Sequence, residues 1–139
     1  MIEQSSLRNA ESLIRFGAEK LSSISNVPRL EAEVLLSNLL KINPIKFHTD
    51  DIGISSNVMD KFESMIESRF KGMPIAYLIG KKEFWSLDFE INPSVLVPRP
   101  ETELLIENAI ELFKDHESPR ILELGTGSGI ISIVLYKEL

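Results

Sequence analysis

The chain has 139 residues, 43% of them hydrophobic and 26% charged, which is typical of a folded globular protein and excludes a disordered or low-complexity one. Its 15 basic and 21 acidic residues give a net charge of −6, which argues against binding to a nucleic-acid backbone as the main function. The absence of cysteine excludes disulfides, a thiolate nucleophile and cysteine-ligated zinc. The N-terminal residues lack the basic and apolar regions of a secretory signal, and no apolar run reaches the roughly 18 residues of a membrane span. We therefore expect a cytoplasmic protein.

The first part of the chain, to about Ile79, has helical periodicity nearly throughout. In its first segment, apolar residues recur three or four positions apart, which predicts a helix with one apolar face. We expect Ser5 or Ser6 to cap the start of this helix. The apolar positions are Leu7, Ala10, Leu13, Ile14, Ala18, Leu21 and Ile24.

A second helix is predicted to open at Pro28, because the first turn of a helix does not need the N–H that proline lacks. The apolar face of this helix is broad and leaves Glu33 among the residues that face elsewhere. Asn43 and Pro44 then predict a cap and the first residue of a short third helix through Phe47. The apolar positions of the second helix are Leu30, Val34, Leu35, Leu36, Leu39 and Leu40.

Two further helices complete the first part. Ser55 or Ser56 is expected to cap a fourth helix, and Gly72 occupies the position of a left-handed residue after its end. Pro74 opens a last short helix. Since each helix has an apolar face and the connections are short, the sequence predicts a small helical bundle over residues 1–80.

The second part changes to strand periodicity. Leu87, Phe89 and Ile91 alternate with acidic residues, which predicts a β-hairpin with Trp85-Ser86 as its turn. An extended run closed by prolines follows and ends the hairpin linker, residues 81–98.

A predicted strand, a glycine-rich loop and a helix close the chain. After a helix over 101–113, Arg120-Ile121-Leu122-Glu123-Leu124 has the pattern of a buried strand, which continues into Gly125-Thr126-Gly127-Ser128-Gly129 and an apolar helix. This order is the first half of a βαβ unit, in which ligands bind at the carboxyl ends of the strands. Glycine allows the backbone to approach a ligand closely, so the loop is the strongest chemical signal in the sequence.

The loop is neither a dinucleotide fingerprint nor a P-loop. Ile130 stands at the third glycine position of G-x-G-x-x-G, and no Gly-Lys-Ser/Thr follows. The sequence Glu-Leu-Gly-Thr-Gly-Ser-Gly is similar to the first motif of S-adenosylmethionine-dependent methyltransferases, where the loop carries the methionine and ribose part of the cofactor. A tight turn without a ligand is the alternative that the loop alone leaves open.

Five stretches agree in order and spacing with one enzyme family. The most distinctive is Val-Leu-Val-Pro-Arg-Pro-Glu-Thr-Glu, because few sequences combine two prolines, an arginine and two acids at that spacing. The five stretches are residues 28–36, 69–80, 83–89, 95–103 and 123–129. The chain thus resembles the N-terminal portion of the peptide chain release factor N(5)-glutamine methyltransferase (PrmC/HemK) family.

The resemblance implies a mainly α N-terminal bundle, residues 1–80, that helps to dock the substrate. The hairpin, residues 81–98, then leads to residues 99–139, which would begin a Rossmann-like (class I) α/β methyltransferase domain and contain only its first β-α unit. The implied reaction transfers a methyl group from S-adenosyl-L-methionine to the side-chain amide nitrogen of the glutamine in the Gly-Gly-Gln motif of class 1 peptide chain release factors.

The resemblance also assigns site residues. Arg99 and Glu101 match a segment that flanks the site. The residues expected to bind the cofactor are Glu123, Gly125, Thr126, Gly127, Ser128 and Gly129. No residue is assigned as catalytic, because the family's Asn-Pro-Pro-Tyr motif is absent from these 139 residues. We therefore interpret the chain as an N-terminal fragment and expect it to be inactive alone.

Several residues have simpler interpretations. His48 and His116 lack metal-ligand spacing, so we expect no metal site. Glu101 and Glu103 are better explained by the dipole of a helix N-terminus than as an acid–base pair. We expect a monomer that contacts neither nucleic acid nor membrane directly. The alternatives are a non-catalytic protein-interaction module, and a related methyltransferase that acts on another protein or on nucleic acid.

Overall fold

The computed structural model describes residues 9–139 and divides into two compact units, one ending at Ile79 and one beginning at Gly80. We call them the helical unit and the C-terminal unit. No helix within residues 9–139 is long and apolar enough to cross a lipid bilayer. The elements are α1 (Ala10–Leu21), α2 (Pro28–Leu40), a 3-10 helix (Pro44–His48), α3 (Ser56–Phe70), α4 (Ile75–Ile79), β1 (Lys81–Phe84), β2 (Leu87–Glu90), α5 (Thr102–Phe113) and α6 (Ile130–Glu138).

Helix α1 begins at Ala10 and is capped by Asn9, whose side-chain oxygen accepts a hydrogen bond of 3.0 Å from the Ser12 N–H. The predicted caps, Ser5 and Ser6, lie outside the described residues, and the cap of this helix is Asn9 instead. A short polar side chain in extended conformation satisfies one of the unpaired N–H groups of a first helical turn. The helix ends at Leu21, so the apolar face does not extend to Ile24, which is 41% exposed.

Three of the predicted helix boundaries are confirmed, whereas Ser55, at the start of α3, makes no side-chain capping hydrogen bond. Helix α2 begins at Pro28, and the 3-10 helix begins at Pro44 after Asn43, whose side chain accepts a hydrogen bond from the Ile45 N–H. Gly72 has a φ of 98°, in the left-handed region that glycine adopts without a Cβ clash. Each of these signals is local, because it acts through the backbone of its own segment.

The core of the helical unit lies between α1, α2 and α3, which confirms the predicted helical bundle. Its fully buried large residues are Leu13, Ile14, Leu21, Leu35, Leu36, Phe62 and Ile66. Complete burial of one such side chain stabilises the folded state by about 1.5–3 kcal/mol, so this cluster is the main source of stability of the unit.

The prediction for Glu33 is wrong, because this residue is only 7% exposed. Its Oε1 lies 2.9 Å from Nε of Arg29 and 3.9 Å from Nε2 of His48. Arg29 and Glu33 form an ion pair, but its geometry is not that of a hydrogen bond. The Oε1 atom of Glu33 has no hydrogen-bond partner among the described residues. A paired carboxylate tolerates burial, and a helical pattern of apolar residues does not reveal such a pair.

Ion pairs join neighbouring helices at the surface of the helical unit. Arg69 on α3 makes two hydrogen bonds of 2.9 and 3.0 Å to Glu31 on α2, and Arg29 on α2 makes two to Glu11 on α1. The hydrogen bond from Arg29 lowers the pKa of Glu11. Because the folded state lowers this pKa, its stabilising contribution is present at neutral pH and is lost as the pH falls through the carboxyl range. The Arg29–Glu11 pair is exposed and contributes little, whereas the side chains of Arg69 and Glu31 are largely buried.

The C-terminal unit contains the predicted hairpin. Strands β1 and β2 pair antiparallel, with Lys81 opposite Glu90 and Phe84 opposite Leu87. Trp85 and Ser86 form the turn with φ values of 53° and 56°, the positive angles of a two-residue hairpin turn. Hydrophobic residues of the hairpin, α5 and α6 form one core: Phe84, Phe89, Ile106, Ile130, Val134 and Leu135.

Two glutamates accept hydrogen bonds from the turn. These bonds offset the free-energy cost of a positive φ at residues other than glycine. The Trp85 N–H donates to Glu103 on α5 at 3.2 Å, and the Trp85 indole N–H donates to Glu138 on α6 at 3.0 Å. Glu103 therefore binds the hairpin turn in addition to lying in the first turn of α5. The acid–base interpretation of Glu101 and Glu103 finds no support in this contact.

The buried strand predicted at residues 120–124 is not formed. Leu122 and Leu124 are 85% and 86% exposed, and the only sheet among the described residues is the hairpin. A strand needs a neighbour for its N–H and C=O groups, and no second strand within residues 9–139 pairs with this segment. The α/β, Rossmann-like character predicted for residues 99–139 is therefore not confirmed by the fold.

We expect amide hydrogen exchange to separate the helical bundle from this unpaired segment. Amides in α1, α2 and α3 should exchange slowly, and those of the unpaired segment after Pro119, residues 120–124, should exchange at nearly the rate of an unfolded chain. Exchange followed by mass spectrometry of peptides from the 139-residue chain measures both regions together. Equal protection of both regions, independent of protein concentration, would contradict this expectation.

Replacement of Gly17 by valine should destabilise the helical unit. A Cβ at this position would lie 2.9 Å from side-chain atoms of both Ile66 and Phe62 and 3.1 Å from Cβ of Ala32. Overpacking of this kind costs about 1–3 kcal/mol in the free energy of unfolding. Urea denaturation followed by far-ultraviolet circular dichroism provides the measurement. Gly53→Ala is the matched control, since its Cβ would meet nothing within 4 Å. An unchanged midpoint for Gly17→Val would show that the three helices do not pack as described.

Candidate functional site

The glycine loop, residues 125–129, has a backbone that requires glycine. Gly125, Gly127 and Gly129 have φ values of 77°, 55° and 75°, all in the left-handed region. The Gly129 N–H donates to the carbonyl oxygen of Thr126 at 2.8 Å and closes a tight turn. Glycine therefore alternates with Thr126 and Ser128 because every second residue of the loop has a left-handed backbone.

The loop also has open space beside it. A Cβ built at Gly125 would meet no atom within 4 Å, and one at Gly127 would meet only the carbonyl oxygen of Gly125, at 3.8 Å. Gly129 is different, since its Cβ would contact Ile133 of α6 at 3.7 Å. Gly129 thus packs against the helix, whereas Gly125 and Gly127 leave the backbone accessible to a ligand.

The loop leads into the first turn of α6, where backbone donors remain free. Gly129 is the N-cap residue and supplies no side-chain hydrogen bond. Within residues 9–139, no backbone acceptor pairs with the N–H groups of Ile130, Ile131 or Ser132, whereas the Ile133 N–H donates to Gly129 at 2.9 Å. The first turn of a helix carries a partial positive charge, so these groups suit a negatively charged or hydroxyl oxygen.

Glu123 lies at the other end of the loop. Its side chain is partly buried, and its Oε2 accepts a hydrogen bond from the hydroxyl of Ser132 on α6. Both residues line a cleft of about 590 Å³ in the C-terminal unit, together with Ile121, Ile131 and Tyr136. The sequence analysis did not predict a role for Ser132. The only signal in the sequence is that Ser132 follows Glu123 by nine residues, on the other side of the predicted turn.

Arg99 and Glu101 lie in the turns that precede α5. The Thr102 N–H donates to the carbonyl of Arg99, and the Glu103 N–H donates to the carbonyl of Pro100, each at 3.0 Å. Both predicted side chains are exposed. In the part of the chain that the structure describes, no hydrogen bond or ion pair connects either of them to the glycine loop. The structure therefore joins Glu123 to the loop region but not these two residues.

A metal site is not formed by the described side chains. No group of three histidine, aspartate or glutamate residues within 9–139 is arranged to hold a metal ion. His48 lies near Glu33, whereas His116 stacks edge-on against Phe113 with 5.5 Å between ring centres.

Comparison with known proteins identifies the family. Residues 12–80 match the model of the PrmC N-terminal domain. The chain is 40% identical over 122 residues to the release factor glutamine methyltransferase of Coxiella burnetii, covering 87% of this chain and 44% of that protein. It is 35% identical over 139 residues to the same enzyme of Shewanella oneidensis, covering 99% and 47%.

A third relative is the release factor glutamine methyltransferase of Buchnera aphidicola subsp. Schizaphis graminum. The chain is 45% identical to it over 119 residues, which cover 84% of this chain and 42% of that protein. These relatives are methyltransferases by name, and the chain belongs to the release factor glutamine methyltransferase (PrmC) family. The predicted resemblance is confirmed. The chain spans slightly less than half the length of the curated relatives it matches.

Proposed function

We propose that the full-length protein containing this chain methylates class 1 peptide chain release factors. The reaction would transfer a methyl group from S-adenosyl-L-methionine to the side-chain amide nitrogen of the glutamine in their Gly-Gly-Gln motif. The observation that supports this most is the open glycine loop between Glu123 and α6, in a chain whose relatives are named release factor glutamine methyltransferases.

The residues of this chain fit the chemistry of S-adenosyl-L-methionine. That cofactor presents a sulfonium, an ammonium, a carboxylate and ribose hydroxyls. The Glu123 carboxylate suits the cationic groups, and the free N–H groups of the first turn of α6 suit the carboxylate. Gly125 and Gly127 leave room beside the backbone. These residues, with Thr126, Ser128 and Gly129, would hold the cofactor, which supplies the methyl group when bound.

The part of the mechanism assigned to these residues is positioning. An amide nitrogen is a poor nucleophile, so its alignment with the methyl group would account for much of the rate. The loop and Glu123 would bind and orient the methyl donor. The glutamine side chain would be held by an Asn-Pro-Pro-Tyr motif, which these 139 residues do not contain. The helical unit would help to dock the release factor, and Arg99 and Glu101 stay predictions as residues that flank the site.

Gly127→Val in the full-length protein should weaken binding of S-adenosyl-L-methionine at least tenfold, about 1.4 kcal/mol. Valine resists the φ of 55° and would place two methyl groups beside the loop, where the ligand is expected. Isothermal titration calorimetry with S-adenosyl-L-methionine measures the affinity, and circular dichroism checks folding.

The control for this variant is Gly53→Ala, an exposed glycine of the helical unit, which should bind with unchanged affinity. Docking of the release factor should survive in Gly127→Val, because the substitution lies outside the helical unit. A folded Gly127→Val protein with normal affinity would show that the loop is only a turn, and the cofactor assignment would then be abandoned.

The isolated 139-residue chain should not methylate a release factor, since it contains no Asn-Pro-Pro-Tyr to hold the glutamine amide. The assay mixes the chain with labelled S-adenosyl-L-methionine and an unmodified class 1 release factor, with the full-length protein as the positive control. Incorporation of label above background by the isolated chain would refute the assignment of the glutamine-binding motif to residues outside it.

A further inference from the structure

The hydrogen bond between Ser132 and Glu123 bridges the two ends of the glycine loop. Glu123 precedes the loop, and Ser132 lies in the first turn of the helix that follows it. The Ser132 hydroxyl donates to Oε2 of Glu123, and Oε1 accepts no hydrogen bond from the residues that the structure describes. One carboxylate oxygen is thus fixed and the other is available.

Helix α6, which carries Ser132, is packed into the core of the C-terminal unit. Val134 and Leu135 are buried in the core of the C-terminal unit, so the helix that carries Ser132 is anchored by packing. The segment that carries Glu123 is not paired in a sheet, and its neighbours Leu122 and Leu124 are exposed. The position of the Glu123 carboxylate is therefore determined by α6 more than by its own backbone.

We propose that Ser132 is a positioning residue that holds the Glu123 carboxylate in place to accept the ammonium group of S-adenosyl-L-methionine. This inference rests on the proposed function and extends it to one residue and one end of the cofactor. An ionised carboxylate binds an ammonium by a charge-assisted hydrogen bond, which is stronger than a bond to a neutral hydroxyl. A fixed carboxylate also loses less side-chain entropy when it binds than a mobile one.

The test compares Ser132→Ala, Ser132→Thr, Glu123→Gln and the double variant Glu123→Gln/Ser132→Ala in the full-length protein. Isothermal titration calorimetry with S-adenosylhomocysteine measures binding without turnover. Ser132→Ala should lose about threefold to tenfold in affinity, the usual effect of one net hydrogen bond. Ser132→Thr keeps the hydroxyl and should stay within about twofold of the original protein. Alanine is favoured in helices and the position is exposed, so Ser132→Ala should fold.

The double variant shows whether Ser132 acts through Glu123. If it does, removal of the hydroxyl should have no further effect once Glu123 is glutamine, because coupled residues are not additive. Additive losses would mean that Ser132 acts independently, and would overturn the proposal. Equal affinity of Ser132→Ala and the original protein would also overturn it.

A second ligand identifies the group that Glu123 binds. 5′-Methylthioadenosine has the ribose and adenine but no amino-acid end, so its affinity should be the same for Ser132→Ala and the original protein. A matching loss for this ligand would assign the carboxylate to the ribose and overturn the ammonium assignment. If Gly127→Val loses affinity for S-adenosylhomocysteine while Ser132→Ala does not, only the role of Ser132 fails. If Gly127→Val also binds normally, the proposed function fails with it.

Discussion

Every backbone N–H and C=O needs a hydrogen-bond partner. In this chain, that requirement separates the segments that find their partners locally from the segment that does not. A helix meets that need within one segment, and a hairpin meets it within two adjacent ones, so α1, α2, α3 and the hairpin form from local sequence. Residues 120–124 have no such partner among the described residues and stay unpaired despite their apolar pattern. The left-handed glycines at 125–129 meet the same requirement by closing their own turn, whereas the first N–H groups of α6 have no backbone partner among the described residues and are left for a ligand.

Sequence reasoning succeeded where the signal is local. Pro28, Gly72 and the alternation at Leu87 and Phe89 each act through the backbone of their own segment, and the structure places them as predicted. It failed at Glu33, because the ion pair with Arg29 that permits burial is invisible to a count of apolar residues. The strand at residues 120–124 failed for the opposite reason, since its pattern is correct for a strand but its neighbour is not within the described residues.

The same distinction between local and non-local signals applies to the candidate site. The glycine loop was predicted because the spacing of Gly125, Gly127 and Gly129 is itself the conformational requirement. The contact of Ser132 with Glu123 was missed because it joins residues on either side of a turn, and its formation depends on the direction in which α6 leaves the loop. Arg99 and Glu101 were assigned by resemblance alone, and nothing in their local sequence specifies a partner.

The anchoring of Glu123 to α6 has a consequence for how such a site is built. If the carboxylate depended on the strand, the donor-binding geometry would require the whole sheet to be assembled first. Because Ser132 holds it from a helix packed through Val134 and Leu135, the loop, the carboxylate and the helix N-terminus form one local group. Short-range interactions fix such a group at little entropic cost, since the loop between its ends is brief. In the proposed active site, the group that would bind the cofactor is thus organised by contacts within residues 123–135.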